Sequence, residues 1–204
     1  MAVTDRFDSE TLVIASHNAG KIAEIRALFA GRVARLPSAA DFDLADPEET
    51  GTSFAENAAL KARFVAGATG APALADDSGL AVHALRGAPG IHTARWAEQP
   101  DGRRDFAAGM QRVEAALAGQ GHCDRSAHFV CALSLAWPDG RIHTVEGVVH
   151  GVLAWPPRGQ RGFGYDPMFI PVGHSVTFGE MEPDAKHSIS HRADAFRQMI
   201  RDCF

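Results

Sequence analysis

The chain has 204 residues, of which 46% are hydrophobic and 22% charged, so it can bury a core in one large domain or two small lobes. Its formal net charge of -5 argues against broad nucleic-acid binding, which requires a basic surface that neutralises phosphates. No stretch approaches the ~18 consecutive apolar residues that span a bilayer, and the polar residues 1–10 lack a signal-peptide pattern. We therefore expect a cytoplasmic protein with neither a nucleic acid nor a membrane as partner.

The cysteines and histidines carry little sign of a metal site. The three cysteines, Cys123, Cys131 and Cys203, form no CxxC pair, and an odd, sparse count favours free thiols in a reducing compartment. The ten histidines are scattered along the chain without an HExxH signature. The sequence therefore disfavours a zinc site.

The N-terminal part of the chain predicts a strand, a helix, a loop, a second helix and a short strand. Residues 11–15 form an apolar, β-branched run of the kind buried on both faces of a sheet. The helix that follows places four apolar residues at helical spacing: Ile22, Ile25, Leu28 and Phe29. Residues 36–51 are rich in Pro, Asp and Glu and predict a loop. Ser53-Phe54-Ala55-Glu56 then matches a capping box for a helix to about Ala66, and residues 71–75 predict a short strand.

The C-terminal part predicts a loop at residues 87–90, a helix, a hairpin and a last helix. The first of these helices places four residues on one face: Phe106, Met110, Val113 and Leu117. Apolar and other residues alternate over 126–137, which predicts a strand. Residues 138–140 are a turn signal, and residues 142–149 predict a second strand. The last helix, from about Arg192, has an apolar face of Phe196, Met199, Ile200 and Cys203. The order β-α-α-β-α-β-β-α predicts a single α/β domain with a mixed sheet over residues 1–204.

The loop Ser16-His17-Asn18-Ala19-Gly20-Lys21 joins the first strand to the first helix and has the features of a phosphate site. Amides at a helix N-terminus attract anions, small residues let an anion approach, and Lys21 adds a positive charge. Ser16 and Asn18 supply neutral hydrogen-bond donors. Because the Walker A pattern is absent, an ordinary turn with a solvated lysine is an open alternative.

Asp76 and Asp77 stand between apolar neighbours at the end of the short predicted strand. Two adjacent carboxylates are costly to desolvate unless a cation, such as a divalent metal with oxygen ligands, uses them. A helix N-cap or a surface turn before Gly79 is an open alternative for the pair. The acidic residues 46–51 could supply another oxygen ligand or form a solvated loop, and Glu56 already has a structural explanation in the capping box.

Residues 161–192 are the densest in polar groups. Glycines beside aromatic rings in Gly162-Phe163-Gly164-Tyr165-Asp166-Pro167 allow a planar ligand to stack, and Asp166 could accept hydrogen bonds from a base or sugar. Lys186 and the run Ser188-Ile189-Ser190-His191-Arg192 suit an anion. Alternatively, Phe163 and Tyr165 are core aromatics and Ser190 caps a helix. Taken together, the chain carries the four parts of a nucleoside triphosphate site: a phosphate clamp, metal carboxylates, a stacking wall and neutralising cations.

These motifs, in this order, resemble those of the Ham1-like inosine triphosphate pyrophosphatases over nearly the whole chain. The matching pieces also include Glu48-Glu49-Thr50-Gly51, Phe54-Ala55-Glu56-Asn57-Ala58, Ala75-Asp76-Asp77-Ser78-Gly79-Leu80 and Gly87-Ala88-Pro89-Gly90. The resemblance implies an α/β fold with a long twisted mixed β-sheet flanked by helices, in two lobes with a central active-site cleft. It also implies a homodimer and the Mg²⁺-dependent hydrolysis of purine nucleoside triphosphates, namely ITP, dITP or XTP, to monophosphate and pyrophosphate.

The resemblance also assigns roles by motif position. Asp77 is similar to the catalytic carboxylate, which binds metal and accepts a proton from the attacking water, and Glu48 to a second Mg²⁺ ligand. The implied substrate-binding residues are Ser16, His17, Asn18, Ala19, Gly20, Lys21, Ser78, Phe163, Gly164, Tyr165, Asp166, Lys186, His191 and Arg192. Of these, His191 and Arg192 can donate to the O6 atom of a 6-oxo purine. His17 and Ser16 stand where Gly and Thr are common in the family, and Asp76 is expected to support its neighbour or the loop.

Two other interpretations stay open. One is a Maf-like nucleotide pyrophosphatase with another base preference, against which the Ser188–Arg192 pattern speaks. The other is a non-catalytic nucleotide-sensing module, against which the presence of both Glu48 and Asp77 speaks.

Overall fold

A computed structural model describes residues 6–119, 121 and 124–204. Our expectations for residues 1–5 and for Cys123 lie outside the described residues. Within them, five strands form one sheet in the order β1-β2-β3-β4-β5. The strands are β1 (Val13–Ile14), β2 (Ala73–Val82), β3 (Ser126–Ala136), β4 (Ile142–Leu153) and β5 (Phe169–Pro171). The α-helices are α1 (Ala19–Leu28), α2 (Phe54–Thr69), α3 (Phe106–Gly119), α4 (Pro183–Ile189) and α5 (His191–Cys203).

The sheet is mixed, as predicted. Strand β1 runs parallel to β2, with Val13 opposite Ala73. Strand β4 runs antiparallel to β5, with Gly151 opposite Pro171. The turn that links β3 to β4 falls at the predicted residues, where the Gly140 amide donates to the Trp137 carbonyl over 3.0 Å. These observations confirm the predicted α/β fold class.

The chain divides into two compact units, and each has its own apolar core. Unit 1 comprises the residues up to Asp77 together with 131–147 and 192–204, and unit 2 comprises 78–130 and 148–191. The core of unit 1 includes Ile14, Ile25, Leu74, Leu133 and Met199. The core of unit 2 includes Leu80, Val113, Phe129, Phe169 and Phe178. Strands β2, β3 and β4 contribute residues to both units, and the prediction of a single domain stays a prediction.

The largest departure from the sequence prediction is strand β2, which continues through Asp76 and Asp77 to Val82. The prediction ended this strand at residue 75 because four polar or flexible residues follow, from Asp76 to Gly79. The helix-cap and surface-turn explanations of the Asp pair are therefore wrong. Strand β5 and helix α4 were not predicted, and β4 extends past residue 149.

The capping of α2 follows the predicted motif only in part. The Ser53 side chain accepts a hydrogen bond from the Glu56 amide over 3.1 Å, which is one half of a capping box. The Glu56 carboxylate instead accepts from the amide and the hydroxyl of Thr52, at 2.6 and 2.9 Å. Glu56 therefore has a structural role, but its carboxylate binds Thr52 and not the predicted partner Ser53. Among the described residues, no helix combines the length and apolar character that crossing a bilayer requires.

Candidate active site

The predicted site residues fall into two groups, and each group lies within one unit. Unit 1 holds the loop 16–21, Glu48, Asp77 and Arg192, and unit 2 holds Ser78, residues 163–166, Lys186 and His191. Each group is therefore described within its own unit.

Side chains of the loop 16–21 fasten the start of helix α1. Asn18 is the N-cap residue, and its Oδ1 accepts from the Lys21 amide over 3.1 Å. The Ser16 hydroxyl accepts from the Asn18 amide, also over 3.1 Å. In these contacts Ser16 and Asn18 act as acceptors that shape the loop, whereas the sequence suggested donors toward a ligand. The uncapped amides of the first helical turn remain the anion-attracting groups.

Lys21 is held by Asp76 and is not a solvated lysine. Its Nζ lies 2.7 Å from Asp76 Oδ1, and the Lys21 side chain is only 14% exposed. The alternative of an ordinary turn with a solvated lysine is therefore wrong. The contact places a positive charge beside the start of α1.

Asp76 is the centre of a buried group of charges. Its Oδ2 accepts from Arg192 Nε over 2.7 Å and from Cys131 Sγ over 3.0 Å, and Arg192 also pairs with Glu24. Burial alone would raise the pKa of Asp76, but the charges of Arg192 and Lys21 hold that pKa well below its ordinary value. Both carboxylate oxygens of Asp76 are engaged, so this residue fixes its cationic neighbours in place.

Asp77 has a different environment because successive side chains of a strand point to opposite faces. Its Oδ1 accepts from Lys61 Nζ over 2.7 Å. Its Oδ2 is buried and has no hydrogen-bond partner among the described residues. Burial raises the pKa of Asp77, and the charges of Lys61 and Lys21 offset this only in part. Asp77 therefore offers a buried oxygen that is ready to accept a proton or bind a cation.

Lys61 connects Asp77 to the acidic loop. Besides Asp77, its Nζ donates to Glu49 Oε1 over 2.8 Å and to the Asp76 carbonyl over 3.1 Å. Burial acts to lower the pKa of Lys61, but the carboxylates of Asp77 and Glu49 raise it above its ordinary value. Glu48 is exposed, so within this loop the contact to the Asp77 group is made by its neighbour Glu49. The role of Glu48 as a metal ligand stays a prediction.

Sequence reasoning missed Lys61 as a member of this group and named Glu49 only within the acidic residues 46–51. A signal for Lys61 was available, because position 61 shares a helix face with the buried residues Ala58, Ala62 and Val65. A lysine within an apolar face needs a buried acidic partner. Nothing in the sequence distinguishes Glu49 from Glu48, since the loop has no periodicity.

In unit 2, Asp166 and Lys186 form a buried ion pair beside an aromatic ring. Lys186 Nζ lies 2.7 Å from Asp166 Oδ2 and 4.9 Å from the centre of the Phe163 ring. Asp166 Oδ2 also accepts from the Phe163 amide over 2.8 Å. Gly162 has a φ of +71°, and a Cβ there would collide with the Asp166 carboxylate. The geometry brings these predicted residues together and leaves the Phe163 ring half-buried.

Tyr165 and His191 are buried in unit 2. Tyr165 is 2% exposed, and its hydroxyl donates to the Thr93 carbonyl over 3.0 Å. Burial raises the pKa of Tyr165 to about 12, so its hydroxyl stays protonated. The His191 ring stacks on Phe129 with centroids 4.9 Å apart. These contacts favour the core alternative for Tyr165.

Comparison with known proteins assigns the chain to a family of enzymes. Residues 12–202 match the model of the Ham1 family. The chain is 58% identical to the dITP/XTP pyrophosphatase of Rhodospirillum centenum over 100% of both sequences. It is 53% identical to the dITP/XTP pyrophosphatase of Agrobacterium fabrum, covering 97% of this chain and 98% of that protein. The structure of a HAM1 protein from Coxiella burnetii matches with a TM-score of 0.83 and 40% identity, covering 93% of this chain and 95% of that one. The chain therefore belongs to the Ham1 family, as its motifs predicted.

Proposed function

We propose that this protein is a nucleoside triphosphate pyrophosphatase that hydrolyses dITP, XTP and ITP to the monophosphate and pyrophosphate. The observation that carries the proposal is the Asp77 carboxylate, of which one oxygen is held by Lys61 and the other has no partner among the described residues. The full-length similarity to relatives named dITP/XTP pyrophosphatase supports the substrate class. Removal of such triphosphates would keep deaminated purines out of nucleotide pools.

In the proposed reaction a water oxygen attacks the α-phosphorus of the triphosphate. The bond from that phosphorus to the oxygen bridging the α- and β-phosphates breaks, and pyrophosphate leaves. Asp77 Oδ2 accepts the proton of the attacking water, since burial raises the pKa of this carboxyl and makes it a better proton acceptor. The Lys61 contact at Oδ1 orients the carboxylate for that transfer.

The residues around Asp77 fit a divalent cation such as Mg²⁺. Mg²⁺ prefers carboxylate oxygens, and the Asp77 carboxylate, with a side chain only 10% exposed, supplies such a group in a buried position. Glu49, which meets the same Lys61 ammonium group, would supply a second carboxylate, and Glu48 stays the alternative from the motif. A bound Mg²⁺ would neutralise phosphate charge and acidify water. Lys21 and the N-terminus of α1 would attract the phosphates on the same unit.

For the base side we propose the Phe163 ring as the stacking surface, with Asp166 and Lys186 holding its loop. The roles of His191 and Arg192 toward O6 of the purine stay predictions. Arg192 is 1% exposed and committed to Asp76 and Glu24, so replacing it by alanine would also disturb the charge group of unit 1. We further propose that the protein is cytoplasmic and forms a homodimer. Sedimentation velocity of the purified chain would test the homodimer.

Pyrophosphate release from a panel of ITP, dITP, XTP, ATP and GTP, with and without Mg²⁺, tests the proposed function. We expect 6-oxo purines without the guanine amino group to be preferred, and Asp77→Asn to lower kcat by about 10²–10⁴-fold. Asp101→Asn is the matched control, since Asp101 is an exposed aspartate that pairs only locally with Arg103. Release of orthophosphate in place of pyrophosphate would overturn the proposed bond cleavage, and equal turnover of ATP would overturn the proposed base preference.

A further inference from the structure

Three histidines that are far apart in the sequence meet on the surface of unit 2. His83 follows strand β2, His128 lies in β3 and His150 lies in β4. One ring nitrogen from each lies within 4.8 Å of those of the other two. We propose that His83, His128 and His150 bind a divalent transition-metal ion of the Zn²⁺ class, at a site separate from the carboxylate group around Asp77.

The spacing of the His83 and His128 nitrogens matches the coordination shell of such an ion, and the His150 nitrogen lies within 4.8 Å of both. Tetrahedral zinc with Zn–N bonds of about 2.0–2.1 Å places its nitrogen ligands roughly 3.3 Å apart. His83 Nε2 lies 3.1 Å from His128 Nδ1. The His128 and His150 rings are 5.5 Å apart between centroids, which leaves their nitrogens able to converge. Three imidazoles leave a fourth position for water.

A hydrogen-bond relay sets the tautomer of His83 that metal binding requires. The Ser126 hydroxyl lies 2.6 Å from Asp124 Oδ1, to which it donates its only hydrogen, because a carboxylate can only accept. Ser126 Oγ also lies 2.9 Å from His83 Nδ1, so that nitrogen must carry the hydrogen and donate. His83 Nε2 then holds a lone pair directed toward His128. Such outer partners are the usual support of a metal-binding histidine.

Charge and access also suit a cation. Imidazole nitrogens favour Zn²⁺, Cu²⁺ and Ni²⁺, whereas the Asp77 group offers the oxygen ligands that Mg²⁺ prefers. His83 and His150 are exposed, so an ion can enter from solvent. An ion held here would tie together residues from three neighbouring segments of the chain.

Calorimetric titration of the full chain with Zn²⁺ alone tests the site, with excess Mg²⁺ present to occupy the carboxylates. We expect binding to weaken by at least about 10–100-fold in His83→Gln and in His150→Gln, since loss of even a supporting residue has that effect. His174→Gln is the matched control, because His174 is an exposed histidine in a turn of the same unit. Unchanged Zn²⁺ affinity in His83→Gln and His150→Gln would overturn the proposal, as would equal losses in His174→Gln.

Two further measurements do not depend on the pyrophosphatase activity. Co²⁺ in place of Zn²⁺ should give the visible absorption of a tetrahedral site in the wild type and lose it in His150→Gln. Ser126→Ala, which breaks the relay but keeps all three ligands, should weaken Zn²⁺ binding by about 10–100-fold. A hydrogen-bonded imidazole pair without a metal would instead show no Co²⁺ spectrum, and that result would exclude the site.

Discussion

Lys61 Nζ lies 2.7 Å from Asp77 Oδ1, and this contact sets the charge of the carboxylate on which the proposed chemistry depends. Both side chains are only 10% exposed, so the attraction between them is weakly screened by water. Burial raises the pKa of Asp77 and Lys61 opposes that rise. The lysine therefore favours the ionised form of Asp77, whose other oxygen has no hydrogen-bond partner among the described residues.

Lys61→Met should move the acid limb of the kcat/KM profile to higher pH. Lys61 stabilises the ionised form of Asp77, so its removal raises the pKa of that carboxyl, and a higher pH is then needed to ionise it. We expect activity at neutral pH to fall by about 10–100-fold. Lys61→Arg keeps the positive charge and should leave the acid limb near its wild-type position. An acid limb that stays in place in Lys61→Met would show that Lys61 does not control the ionisation of Asp77.

Asp76→Asn should destabilise the protein by about 3–5 kcal/mol, because it removes the carboxylate paired with Lys21 and one of the two carboxylates paired with the buried Arg192. Asp76 pairs with Lys21 and with Arg192, whose side chain is 1% exposed. Urea unfolding of the variant and the wild type measures the change in the free energy of unfolding. The exposed Asp101→Asn variant should change it little.

The difference in unfolding free energy between the wild type and Asp76→Asn should depend on pH. The pKa of Asp76 is lowered in the folded protein, so its stabilising effect is present above its ordinary pKa and is lost as the pH falls toward the folded value. The difference in unfolding free energy between wild type and Asp76→Asn should therefore shrink on acidification below that ordinary pKa. A difference that stays constant through this range would contradict an ionised, paired Asp76.

Elements with a regular apolar period could be predicted from the sequence. Helix α5 buries Phe196, Met199 and Cys203 as its period indicated, because a face of apolar residues has few other ways to leave water. Strand β2 could not be bounded in this way, since the charges on Asp76 and Asp77 argue locally against a buried strand. The cations that stabilise this strand come from residues 21, 61 and 192, and the sequence near the strand does not predict such distant ion pairs.

The candidate site was predictable as motifs but not as contacts. Lys21, Asp77, Asp166 and Lys186 were all named from sequence, and the structure gives each a buried partner. The histidines at 83, 128 and 150 carry no spacing signal, because their proximity arises from neighbouring strands. A zinc-type site was therefore disfavoured on sequence spacing alone, although three imidazoles meet in the fold.

Tyr165→Phe and Phe163→Leu should separate a core aromatic from a substrate-contacting one. Tyr165→Phe removes the hydrogen bond to the Thr93 carbonyl and should cost about 0.5–1.5 kcal/mol of stability with little change in KM. Phe163→Leu removes the half-buried ring beside Lys186 and should raise KM for dITP with a smaller effect on stability. Steady-state kinetics and urea unfolding of both variants distinguish a core role from a substrate-contacting role. A raised KM in Tyr165→Phe with unchanged stability would indicate that Tyr165 contacts the purine base.

His17 and Asp46 should contribute a weak link between the loop 16–21 and the acidic loop. His17 Nδ1 lies 2.7 Å from Asp46 Oδ1, with side chains 33% and 60% exposed. Exposed pairs contribute about 0–1 kcal/mol, because water screens the charges and two side chains must be held still. A double-mutant cycle of His17→Asn and Asp46→Asn, followed by urea unfolding, measures this coupling.

The ionic strength of that cycle identifies the nature of the contact. A Debye length of about 3 Å at 1 M salt screens exposed charges, so a coupling that depends on charge falls toward zero there. A coupling that persists at high salt would mean that a neutral hydrogen bond, and not charge, joins the two loops.

Since Glu49 and Asp46 lie in the same acidic loop, we also expect His17→Asn to raise the Mg²⁺ concentration needed for half-maximal activity more than it lowers kcat. The opposite pattern, a lower kcat at an unchanged Mg²⁺ requirement, would place His17 with the phosphates and not with the loop that positions the carboxylate.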